Sequence, residues 1–222
     1  MSMTLEVSEL ESGKNADASV IVLHGLGADG TDFVPIAQEL KLDPVGEVRF
    51  VFPHAPVMPV TINGGMSMRA WYDILGTEFT RVEDERGLRG SQAMVQTLID
   101  REIERGIEPR RIVLAGFSQG CAMTLMTGLR YGQRLAGLVG LSGYLPLSAV
   151  TEAERHRANH DVPIFLAHGS ADQVIPIGRA TASRDALKAM GHDVEWHEYP
   201  MPHSVCGQEV ADLNRWLLRI LG

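Results

Sequence analysis

The sequence predicts a three-layer α/β fold, on two observations. Short apolar runs recur at residues 19–23, 48–52, 111–117, 137–141 and 163–167, with a polar-alternating run at 193–199. Segments of helical periodicity fall between them. Near-continuous runs of Val, Ile, Leu and Phe suit strands of a parallel sheet covered on both faces. Alternation of strand and helix puts the helices on those faces.

Taken in order, a helix is expected over 32–40, after the first strand. The segment 91–105 places Met94, Val95, Leu98, Ile99 and Ile103 on one helical face. Residues 119–129 are apolar nearly all round, as in a helix buried within a domain. The helix over 180–190 ends at Gly191, a suitable left-handed cap. The last helix, 205–221, repeats apolar residues at Val205, Val210, Leu213, Leu217 and Ile220. Two stretches break the rhythm and read as long loops: 53–74, rich in proline, glycine and methionine, and 143–162.

Composition narrows the function. With 222 residues, 45% of them hydrophobic, the chain can bury a full core, and it reads as one domain spanning 1–222. A net charge of −8 argues against a protein that neutralises nucleic-acid phosphates. Two cysteines are too few for a disulfide scaffold or a Cys-rich zinc module. No apolar run reaches the length of a membrane span, and residues 1–10 do not read as a signal peptide. The expectation is a cytoplasmic protein without stable membrane insertion.

The sharpest local signal is Gly116-Phe117-Ser118-Gln119-Gly120, which follows an apolar strand and opens the buried helix. That context is what a nucleophile elbow requires, because the turn must be tight enough to raise the serine above the sheet edge. The bland alternative is a glycine-softened strand–helix corner. A hydroxyl is a poor nucleophile at neutral pH and needs a base held by a carboxylate. In an α/β sheet those groups lie at the carboxyl ends of later strands. Asp172 is the only acid in the loop after 163–167, and His203 follows the last strand between Pro202 and Ser204. His54 is the rival base, since it ends an earlier strand. His168 reads as a strand-end packing residue, and His156, His160, His192 and His197 as ordinary polar residues. Ser118, Asp172 and His203 form the consistent triad.

A second glycine pattern points two ways. Gly25-Leu26-Gly27-Ala28-Asp29-Gly30 matches the turn of a nicotinamide-dependent oxidoreductase. The following strand, however, ends in Pro53-His54 where an acid would hold the ribose. The segment His24-Gly25-Leu26-Gly27 suits an oxyanion loop better, since glycine lets a backbone N–H approach a reacting carbonyl.

Together, Leu23-His24-Gly25-Leu26-Gly27, Ala70-Trp71-Tyr72-Asp73, the Ser118 elbow, the segment from His168 to Pro176, and Pro202-His203 resemble the phospholipase/carboxylesterase family. The resemblance implies an α/β-hydrolase fold, with helices on both faces of a mostly parallel sheet and no large lid domain. It implies a carboxylic ester or thioester substrate, lysophospholipids included, with no metal and no cofactor. It also implies oxyanion donation by the backbone amides of Leu26 and Gln119, and it suggests a homodimer. A non-catalytic binding module on the same fold would have no need of all three triad residues. Apolar residues in the 53–74 loop suggest either a wall for an acyl chain, with Met66, Met68 and Trp71 its candidates, or a seal for the core where a strand–helix unit is lacking. Cys121 and Cys206 read as small packing residues.

Overall fold

The computed structural model describes residues 5–13, 15–77 and 80–222. Its main sheet is built from β1 (Val7–Glu11), β2 (Ala18–Leu23), β3 (Val48–Pro53), β8 (Ile112–Phe117), β9 (Gly137–Leu141), β10 (Ile164–Gly169) and β11 (Val194–Tyr199). Two hairpins lie outside it, β4 (Val57–Val60) with β5 (Met66–Arg69), and β6 (Ile74–Thr77) with β7 (Thr80–Glu83). The sheet order is β1-β3-β2-β8-β9-β10-β11. Every pairing in it is parallel except β1 with β3.

Strand alternation divides the core between the two faces. In β2, β8 and β10, the residues Ile21, Leu23, Ile112, Leu114, Ile164 and Leu166 enter one apolar cluster. Their neighbours Val20, Val113, Ala115, Phe165 and Ala167 enter the other. The first cluster is covered by α2 (Glu85–Glu104), α3 (Gln119–Arg130) and α5 (Ile177–Ala189). The second is covered by α1 (Val34–Glu39) and α6 (Gly207–Leu221). The α3 helix is buried from Gln119 to Leu129, as its all-round apolar sequence predicts.

The irregular stretches hold more structure than their composition suggests. The 53–74 segment contains the β4–β5 hairpin, and 143–162 contains α4 (Ser148–Glu154). The α2 helix starts six residues before the expected 91, because the Asp84 carboxylate accepts from the Gly87 amide at 2.9 Å and caps it. The helix expected over 32–40 is a 3₁₀ turn, Gly30–Phe33, followed by the six-residue α1.

From β2 the chain steps outward to β3, whereas β8 leads through β9 and β10 to β11 on the other side. The strand order therefore reverses between β2 and β8, which is where open α/β sheets place their sites. The carboxyl ends of these two strands are Leu23 and Phe117.

Candidate active site

Ser118 sits at the turn from β8 into α3 with φ 56° and ψ −116°. Such a conformation costs a non-glycine residue on the order of 1–3 kcal/mol, held here by its surroundings. Its amide donates to the Leu141 carbonyl at 2.9 Å. A Cβ on Gly116 would stand 2.2 Å from the Gly120 carbonyl oxygen, and one on Gly120 would stand 2.0 Å from that of Leu23. The two glycines are thus required by close backbone approach, and that approach sets the sharpness of the turn.

Asp172 and His203 stand on the loops after β10 and β11. Asp172 Oδ2 accepts from His203 Nδ1 at 2.6 Å. Its Oδ1 accepts from the amides of Val174 and Ile175 at 2.8 and 2.9 Å. His168, fully buried, donates from Nε2 to the Ile175 carbonyl at 2.8 Å and lies 3.3 Å from Asp172 Oδ2. The carboxylate is therefore oriented from several sides. With Nδ1–H given to Asp172, the lone pair of His203 is on Nε2. The ring packs against Phe117, 4.7 Å between centroids, and lines the same cleft as Ser118. His54 faces elsewhere: its ring nitrogens meet Ser8 Oγ at 3.2 Å and the Gly30 amide at 3.3 Å.

The loop after β2 is shaped by His24, which is buried completely. The Ala55 amide donates to His24 Nε2 at 3.0 Å, so the imidazole proton is on Nδ1 and goes to the Gly25 carbonyl at 2.7 Å. Burial holds the imidazole below its ordinary pKa, which keeps it neutral at pH 7. A trans peptide aims its C=O and N–H in opposite directions. Drawing the Gly25 carbonyl toward His24 therefore turns the Leu26 N–H away from it. The Gln119 amide, first in α3, has no partner within the helix. The Gln119 side chain braces the elbow, accepting from the Trp71 amide at 3.0 Å and donating to the Tyr72 carbonyl at 2.9 Å.

Two clefts meet at Ser118. One, about 520 Å³, is lined by Leu26, Phe33, Phe117, Val174 and His203. The other, about 390 Å³, includes Leu26, Gln119, Tyr72, Tyr144, Val174 and Arg179. Met66, Met68 and Trp71 line neither. Trp71 is 1% exposed, with its indole N–H given to the His24 carbonyl at 2.9 Å. The Ser91 hydroxyl donates to the Trp71 carbonyl, so Trp71 braces the loop after β2 from within the core. Met66 is 65% exposed, and Met68 accepts from the Asn63 side-chain amide at 3.3 Å. The residues that sequence reasoning missed are Tyr144 and Arg179. Tyr144 lies just past the carboxyl end of β9 and Arg179 in the first turn of α5, and the local sequence of neither marks it for the site. Cys121 is buried in α3 and its thiol is pushed up to about 12 by burial, which suits packing.

A mostly parallel sheet with its serine on a strained strand–helix turn defines the α/β-hydrolase class. A profile of the Phospholipase/Carboxylesterase family matches residues 6–220, and the chain belongs to that family. It is 40% identical over 205 residues to acyl-protein thioesterase 1 of Yarrowia lipolytica, covering 90% of each chain. It is 42% identical over 209 residues to acyl-protein thioesterase 1 of Neurospora crassa, covering 90% of this chain and 85% of that one. Among solved structures it is similar to SOBER1 of Arabidopsis thaliana, with a TM-score of 0.87 at 31% identity over 92% of this chain and 99% of that one. The Gly25–Gly30 segment is thus a loop of a hydrolase fold rather than a dinucleotide turn.

Proposed function

We propose that the protein hydrolyses carboxylic esters and thioesters through an acyl-enzyme on Ser118. The observation that carries this reading is the 2.6 Å bond from His203 Nδ1 to Asp172, beside the Ser118 elbow. The acyl-protein thioesterases among its relatives support it. Ser118 Oγ attacks the carbonyl carbon while His203 Nε2 takes its proton. Asp172 fixes the tautomer and stabilises the imidazolium. The amides of Leu26 and Gln119 hold the oxyanion, each donor worth about 2.7–4 kcal/mol of barrier. His203 returns the proton to the departing alcohol or thiol, and water then releases the acid by the reverse sequence.

The substrate is a small or lipid-like acyl ester, with no part for nucleic acid. Among the described residues no helix is long and apolar enough to cross a membrane. The two free cysteines, Cys121 and Cys206, and the acidic charge support a cytoplasmic location. A fluorophosphonate probe should label the wild-type protein at Ser118, and Ser118→Ala should abolish both labelling and p-nitrophenyl butyrate hydrolysis. Undiminished turnover in that variant would refute the assignment.

A further inference from the structure

The two clefts at Ser118 have different chemistry, and the mechanism gives each a part. His203 must hand its proton to the leaving group, so that group lies in the cleft lined by His203. The acyl group then occupies the other cleft, beside Gln119. The walls of this acyl cleft are polar as well as apolar. The hydroxyls of Tyr72 and Tyr144 lie 3.0 Å apart. Two phenols carry two protons, and their mutual bond uses one. Neither hydroxyl has another partner among the described residues, so one O–H remains to donate, although Tyr72 is only 3% exposed.

Arg179, in the first turn of α5, lays its guanidinium over the Tyr144 ring, 3.6 Å from the centroid. Stacking satisfies a guanidinium face and leaves its in-plane donors free. Among the described residues Arg179 forms no ion pair. Two acids share the cleft, Asp73 and Glu83. Both are engaged elsewhere. Asp73 accepts from the Thr61 amide at 2.7 Å and the Thr61 hydroxyl at 2.5 Å, and Glu83 accepts from the Leu147 amide at 3.1 Å. A hydrocarbon chain in this cleft would strip water from the guanidinium and the phenol without replacing its hydrogen bonds.

We infer that the acyl cleft takes chains ending in a carboxylate, the half-esters or half-thioesters of dicarboxylic acids. The Arg179 guanidinium and the tyrosine pair are the donors to that carboxylate. The inference rests on the serine-esterase reading above, but the two fail differently.

The test compares kcat/KM for p-nitrophenyl half-esters of adipic and suberic acid with the hexanoate and octanoate esters and the methyl-capped half-esters. At least one half-ester should exceed its hydrocarbon counterpart by about tenfold or more, as expected for hydrogen bonds to a charged group. Capping with methyl should remove the advantage. Arg179→Met should reduce the half-ester to hydrocarbon ratio by about tenfold, and Tyr144→Phe by a smaller factor. Equal or faster turnover of the hydrocarbon esters would overturn the inference. So would a ratio that survives Arg179→Met, or an advantage that survives the methyl cap. Absence of Ser118-dependent hydrolysis for every ester would instead overturn the esterase reading.

Discussion

His24 acts at one remove from the chemistry. Its Nδ1–H holds the Gly25 carbonyl at 2.7 Å, and the next amide in the chain, that of Leu26, is turned by the same peptide plane. Replacing it should misplace one oxyanion donor while leaving the acyl cleft intact. His24→Gln is expected to lower kcat by about tenfold to a hundredfold, short of the full loss of a donor, with KM changed far less. Equal changes in kcat and KM, or none in either, would count against the positioning role. The residues proposed as a triad could be singled out in the sequence because Ser118, Asp172 and His203 each follow the carboxyl end of a strand, in an order the fold dictates. Tyr72, Tyr144 and Arg179 could not be grouped that way. They come from three separate segments and meet only in space, and nothing in their own neighbourhoods marks them as partners. Trp71 misled for a related reason: an aromatic residue in an apolar loop has the same composition whether it faces a ligand or, as here, the core.

Among the elements, the strand–turn–helix of the elbow is the most tightly constrained. A methyl group at Gly120 would collide with the backbone of Leu23, which cannot swing aside as a side chain can. Gly120→Ala is therefore expected to destabilise the fold by about 3 kcal/mol or more and to reduce activity with it. Gly90, exposed within α2, has nothing within 4 Å of its added Cβ. Gly90→Ala should stabilise by roughly 0.5–1 kcal/mol. Thermal denaturation of the two variants checks the contrast, and a similar Tm for both would refute the close-approach argument. Parallel strands were legible because both their faces are buried. The β1 strand was not, since Val7–Glu11 has only two apolar residues, Val7 and Leu10, set three apart and so out of the two-residue strand period, and it relies on β3 for its pairing. The β4–β5 hairpin was hidden by Pro59 and by Gly64-Gly65, which read as loop but serve a short local pairing. The first turn of α2 carries Glu85 and Arg86, so apolar periodicity begins well after the Asp84 cap.

At the scale of the molecule, α6 carries a buried acid that ties stability to pH. Glu209 is 0% exposed, and burial raises its carboxyl from the ordinary 4.5 to about 7, against a smaller opposing effect of the Cys206 amide. The folded state therefore holds a proton that the unfolded chain releases between these values. Stability from this group is complete below pH 4.5 and is lost as pH rises through 7, roughly 3 kcal/mol in all. Glu209→Gln should raise the denaturation midpoint more at pH 8 than at pH 5, and a pH-independent difference would remove Glu209 as the cause. The meeting of two clefts at one serine has a further consequence, for the order of traffic. The leaving group and the acyl group have separate exits, so the first product can depart while the second is still covalently held. The vacated side is also the one that His203 faces, which is where the second nucleophile must arrive. Release and refilling thus share one doorway, and the acyl chain need not move between the two half-reactions.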